Sequence, residues 1–148
     1  MEAPQRKIEQ GTPGSLTPVY VTDTHALIWY TQPKIKRLGK RAHSIFEKAE
    51  VDQVLIYVPT VALWEITDQL AQGAIGLPQR FDHWCRALES KRGFQIQPLL
   101  WEDVDAARSL PFDDPFDCLI AGTAVRLALP LITKDEAIRE SGLVETIW

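Results

Sequence analysis

Four acidic residues stand at separate places in the chain, each beside apolar sequence. Asp23 closes the β-rich run "VYVTD" (19–23), and Glu65 lies inside "VALWEI". Asp117 follows Asp113 and Asp114 in "PFDDPFDCLIAGTA" (111–124), and Asp135 ends "LITKD". Neighbouring carboxylates repel, so at least one keeps its proton unless a cation intervenes. Oxygen-only ligands suit hard ions, Mg²⁺ or Mn²⁺. Such an ion commonly handles phosphates: it binds the phosphate, lowers the pKa of a bound water and neutralises the leaving oxygen. The three histidines, His25, His43 and His83, are scattered and have no zinc-like spacing.

Each acid also has a structural reading. Asp114-Pro115-Phe116-Asp117 has the form of a helix N-terminus, with Asp114 as cap, Pro115 at the first helical position and Asp117 in the first turn. An acid there stabilises the helix by roughly 0.3–1 kcal/mol. Asp135 can cap the short helix "EAIRE", and Asp23 can make a turn with the backbone near Thr24. Glu65 resists such a reading, because a carboxylate among apolar neighbours is expensive to bury unpaired.

The elements around these acids alternate. "VYVTD" reads as a strand and "ALIWY" (26–30) turns into helix. "KRLGKRAHSIFEKAE" (36–50) carries apolar residues at helical spacing, and "QVLIYV" (53–58) is a continuous apolar run of the buried parallel-strand type. Thr60 can cap "VALWEITDQLAQG", which Gly73 ends. A helix over 77–93, a strand "FQIQPL" (94–99), a helix "WEDVDAARSL" (101–110) and a helix from 115 to about 128 follow. "PLIT" (130–133), "DEAIRE" and "ETIW" (145–148) complete the chain as strand, helix and strand. This alternation predicts a three-layer α/β/α sandwich with a mainly parallel central sheet. Ligands of open α/β sheets bind at the carboxyl ends of the strands, and the four acids fall at or just beyond such ends.

At 148 residues the chain is most simply one domain, and its 45% apolar and 24% charged content is ordinary for a globular protein. Residues 1–17 are polar, rich in Gly, Pro and Thr, and read as a flexible leader; they lack the apolar block of a secretory signal. No run reaches the ~20 apolar residues of a membrane span. Two cysteines, Cys85 and Cys118, are too few for a disulfide framework and suit a reduced, cytoplasmic setting. The net charge of −4 does not advertise a nucleic-acid binder, although acids concentrated at one centre mask local basic patches.

Taken together, "VTDTHALIWY", "VPTVALWEI", "DPFDCLIAGTA" and "LITKD" resemble the PIN-domain ribonucleases, and most of all the toxin subunits of VapBC-type toxin–antitoxin pairs. The likeness covers about residues 19–148, with the segments in the family's order, and assigns 18–148 to a PIN domain. It implies metal-dependent endonucleolytic cleavage of RNA, a homodimer, and inhibition by a small VapB-like antitoxin that reaches into the site. The site acids it implies are Asp23, Glu65, Asp117 and Asp135, with Asp23, Asp117 and Asp135 holding Mg²⁺ or Mn²⁺ and Asp114 in support. Where such proteins often carry a basic residue after "DPFD", this chain has Cys118. Where they often have His-Arg before it, this chain has Phe112-Asp113. Both differences remove positive charge, and they keep open a second reading as a non-catalytic PIN-like module that binds a metal or a partner.

An acidic site that takes RNA needs cations around it. The candidate patch is "KIKRLGKR" (34–41), with Lys34, Lys36, Arg37, Lys40 and Arg41, and Arg80, Arg86, Lys134 and Arg139 can add to it. A solvated helix face is the ordinary reading of such a run. Trp29 and Trp64 flank the acidic blocks and suit core or interface packing more readily than base stacking; Trp84 and Trp101 read as packing. Thr24 and Thr133 could hydrogen-bond a site carboxylate or a phosphate, but they stand outside the main set of site residues. A phosphatase of the haloacid-dehalogenase type needs a second acid where this chain has His25. A dinucleotide-binding fold needs glycines that "DTHAL" lacks.

Overall fold

The structure, a computed structural model, describes residues 17–32 and 37–148. The expected leader lies outside them except for Thr17, as do Lys34 and Lys36 of the basic run. The described residues form β1 (Val19–Thr22), α1 (Thr24–Thr31), α2 (Lys40–Glu50), β2 (Leu55–Pro59), α3 (Thr60–Ala71) and α4 (Phe81–Ser90). They continue through β3 (Phe94–Gln97), α5 (Trp101–Ala107), α6 (Pro115–Leu127), β4 (Leu131–Ile132), α7 (Glu136–Ser141) and β5 (Thr146–Ile147). All paired strands are parallel, in the order β3-β2-β1-β4-β5. The sheet thus grows from β1 toward β3, then reverses to add β4 and β5 on the other side. That reversal makes the carboxyl ends of β1 and β4 the switch point of the fold.

The sandwich follows from side-chain alternation along the strands. Val21, Leu55, Tyr57 and Leu131 face one layer, against Ile120, Ala121 and Ala124 of α6 and Ile138 of α7. Ile56, Val58, Phe94 and Ile132 face the other, against Leu27 of α1, Ile45 and Phe46 of α2, and Trp84 and Leu88 of α4. Tyr30 stacks on Phe46 at 4.5 Å and on Phe94 at 6.0 Å between ring centroids, locking α1 and α2 onto the sheet. β2 is buried along its whole length, as its unbroken apolar run requires. It runs through Pro59 directly into α3, and Pro59 rather than Thr60 stands at the cap position, without a side-chain cap. Trp84 packs inside as expected, whereas Trp101 is 75% exposed on α5.

α5 and α6 approach closely because Gly122 has no side chain: a Cβ there would lie 2.7 Å from the carbonyl oxygen of Asp103. The Asp103 side chain is fully buried where the helices meet. One of its oxygens accepts the Leu100 N–H at 2.9 Å, and the other accepts Nε–H of Arg126 in α6. Removing one partner of a buried pair leaves the other charge uncompensated. Asp103→Ala is therefore expected to destabilise the fold by about 3 kcal/mol in urea denaturation. A loss within experimental error of zero would show that α5–α6 packing does not need the pair.

Candidate active site

β1 stops at Thr22 because Asp23 begins α1: its Oδ1 accepts the Ala26 N–H at 2.8 Å, the turn-and-cap role open to it from sequence. The backbone N–H of Asp23 still donates to Ile132 O at 3.1 Å, which fixes it beside the end of β4. Its other oxygen, Oδ2, accepts the Thr133 hydroxyl at 2.5 Å. Thr133 Oγ1 in turn accepts the Asp135 N–H at 3.1 Å, and Asp135 caps α7 through the Ile138 N–H at 2.9 Å. Asp23 and Asp135 are thus joined through a single hydroxyl at the switch point.

Two further elements bring acids to the same place. Glu65 projects from the second turn of α3 and accepts the hydroxyl hydrogen of Thr24, the first residue of α1. Asp114 caps α6 through the Phe116 N–H at 2.8 Å, with Pro115 in the first helical position and Asp117 in the first turn, as the sequence predicts. The Cys118 thiol points to Phe112 O at 3.2 Å and so ties down the loop ahead of α6. Asp113 is exposed and takes no part in the cleft.

The result is an open cleft of about 310 Å³ lined by Asp23, His25, Trp29, Glu65, Asp114, Asp117, Lys134 and Asp135. All four acids singled out from sequence line it, and so does Asp114. Among the described residues no three His, Cys, Asp or Glu side chains stand ready around one point to hold a metal ion. The hydrogen bonds explain this in part, since Asp23, Glu65 and Asp135 each have an oxygen turned toward a backbone N–H or a hydroxyl. Five carboxylates facing Lys134 and His25 nevertheless make the cleft strongly acidic, and the donor set is all oxygen, which fits a hard divalent cation.

The electrostatics carry the same sign. Burial raises the Asp23 carboxyl above its ordinary range, against the Thr133 and Ala26 hydrogen bonds that favour the ionised form. Burial also raises Glu65; the Thr24 hydrogen bond opposes it, and the charges of Asp114 and Asp23 add to it. The Asp117 carboxyl accepts no hydrogen bond among the described residues. Burial, and then the charges of Asp114, Asp135, Glu65 and Asp23, push it up to about 7.

The basic candidates divide. Lys134 lines the cleft. Arg37, exposed, sets its guanidinium 5.8 Å from the centre of the Trp29 ring, just outside it. Lys40 and Arg41 are exposed at the start of α2, and neither lines the cleft. His25 belongs to no zinc-like pattern in the sequence. Its position two residues beyond Asp23, in the first turn of α1, was the available signal.

Residues 20–142 match the family model of the PIN domain, and the chain belongs to that family. No curated protein sequence matches it. Its fold is similar to DNA-bound VapBC from Salmonella typhimurium, at a TM-score of 0.62 and 15% identity, covering 88% of this chain and 98% of that one. It is also similar to VapBC2 from Rickettsia felis bound to a DNA fragment from the promoter, at 0.61 and 13%, covering 87% and 97%. A toxin–antitoxin complex from Klebsiella pneumoniae follows at 0.58 and 15%, covering 87% and 96%. At these identities the likeness speaks for the fold. Among the described residues no helix is long and apolar enough to cross a membrane.

A carboxyl that titrates higher folded than unfolded binds protons more tightly in the folded chain. For Asp117, whose ordinary value is 3.8, that difference operates between about 4 and about 7. Metal-free protein should therefore lose stability as pH rises through this window and level off above it. Asp117→Asn should flatten the loss, making the variant more stable than wild type on the alkaline side only. Thermal melts in a chelator across the window test this, and parallel profiles for the two proteins would contradict it.

Proposed function

We propose that the chain is a divalent-metal-dependent endoribonuclease acting in the cytoplasm as the toxin of a toxin–antitoxin pair. The observation that carries this reading is the meeting of Asp23, Glu65, Asp117 and Asp135, from four separate elements, in one cleft at the switch point of a PIN fold. In this reading residues 18–148 are the catalytic domain and 1–17 a leader. The toxin assignment draws support from the fold shared with VapBC complexes. A small VapB-like antitoxin and a second copy of the chain are the partners it implies.

Asp23, Asp117 and Asp135 would hold Mg²⁺ or Mn²⁺, with Asp114 at the edge of the set. The ion supplies activation of water and neutralisation of charge on the phosphate. Each residue then has a task of its own. Thr133 steadies Asp23, leaving that carboxylate little freedom to reorganise. Glu65, held by Thr24, accepts a hydrogen bond from the attacking water and orients it. Asp117, whose carboxyl accepts no hydrogen bond among the described residues, is the acid that gains most from a cation. Lys134 meets the phosphate as it enters, and Arg37, Lys40 and Arg41, with Lys34 and Lys36 of the same run, attract the RNA backbone.

A second reading, a non-catalytic PIN-like module that binds metal or a partner, is favoured by the uncharged Phe112 and Cys118 and the acidic Asp113 where positive charge would assist RNA. One assay separates the two. With Mn²⁺ the wild-type chain should cut mixed cellular RNA, a chelator should abolish cutting, and Asp23→Asn should lower the rate by ~10²-fold or more with the fold retained. Cleavage by Asp23→Asn at the wild-type rate would sink the site. A folded wild type that cuts nothing would favour the binding module.

The basic patch has its own readout. Binding of RNA should weaken steeply as salt rises, and Arg37→Ala with Lys40→Ala should reduce the slope by up to about two, one for each phosphate left without its cation. An unchanged slope would return these residues to an ordinary solvated face.

A further inference from the structure

Next to the acidic cleft is a second cavity of about 400 Å³, and Trp29 lines both. Tyr30, Leu38 and Gln32 line it with Trp29, and so do the exposed Arg37 and Lys40. Among the described residues neither cation has an ion-pair partner, whereas His43, which also lines the cavity, is engaged by Glu47 at 3.2 Å. Trp29 is half-buried and firmly placed. The Trp148 ring meets it edge-on at 5.7 Å, and Trp148 is itself pressed against Gly39, where a Cβ would come within 2.6 Å of it. Arg37 lies 5.8 Å and Lys134 5.7 Å from the centre of the Trp29 ring. Trp29 thus stands between the two cavities, with Arg37 lining one and Lys134 the other.

An aromatic wall, an aliphatic side chain and two exposed cations match one nucleotide: a flat apolar base and an anionic phosphate. Base–aromatic stacking tolerates any sequence, because every base has a π-face. We propose that this cavity is a subsite for one unpaired nucleotide adjoining the phosphate held in the acidic cleft, with its base against Trp29 and Leu38 and its own phosphate on Arg37 and Lys40. This deepens the nuclease reading and rests on it. It specifies a single-stranded substrate, since a paired base cannot enter.

The test uses the full chain and a fluorescein-labelled mixed-sequence octaribonucleotide, with binding followed by anisotropy in a chelator. Leu38→Trp fills the cavity and Arg37→Glu reverses a charge that lines it. Each should weaken binding by about tenfold, and the octamer annealed to its complement should bind more weakly than the single strand. Circular dichroism checks that Leu38→Trp is folded; Arg37 is exposed, so its replacement tests the proposal even if Leu38→Trp is not. Wild-type affinity in the folded variants, equal affinity for the duplex, or no binding by wild type overturns the subsite. Octamer cleavage with an unchanged KM in both variants overturns the subsite and leaves the nuclease reading standing. Binding losses as expected in a chain that cuts no RNA support the subsite and overturn the nuclease reading.

Discussion

Carboxylates gathered in one partly buried cleft repel one another and oppose folding, and this chain gathers five carboxyl groups around the ends of β1 and β4. The tertiary structure offsets that cost with local hydrogen bonds. Asp23, Asp114 and Asp135 each cap a helix and Asp117 lies in the first turn of α6, so four of the five acids sit where helix N-termini favour negative charge. Glu65 and Asp23 are further held by threonine hydroxyls. Asp117 has neither a cap to make nor, among the described residues, a hydroxyl to accept, and burial and then its neighbours' repulsion fall on it uncompensated.

The same arrangement suits function. In the proposed nuclease, a site that admits a cation and a polyanion cannot be neutralised permanently by buried Lys or Arg, and among the described residues Lys134 is the one Lys or Arg that lines the cleft. Lys134 lies between Thr133 and Asp135, so one loop after β4 supplies a hydroxyl, a cation and a carboxylate to the cleft. By contrast, the ion pair of Asp103 and Arg126 lies between α5 and α6, where packing is the purpose.

Much of this was legible in the sequence where the signal is local. The cap and first turn of α6 could be read from Asp114-Pro115-Phe116-Asp117, because the chemistry of a helix start lies within four residues. Alternation of strands and helices pointed to the parallel sheet, and strand ends pointed to the four acids. What stayed hidden depends on distance along the chain. The Thr24–Glu65 and Thr133–Asp23 bonds join residues 41 and 110 positions apart. Asp103 reads as one more acid in a first turn, and only the close approach of α6 at Gly122 buries it. Trp101 carries an apolar side chain yet stays largely uncovered, and composition does not reveal that. The place of Arg37 over Trp29 depends on the turn before α2, which no periodicity specifies.

The central claim is that these acids share a divalent cation, and Mn²⁺ reports on this directly through electron paramagnetic resonance. Titrated into the wild-type chain near neutral pH, Mn²⁺ should lose its free-ion signal until the site fills, and Asp23→Asn and Asp117→Asn should each restore that signal at the same metal concentration. A free-ion signal untouched by the wild-type protein, or one suppressed equally by the two variants, would contradict it.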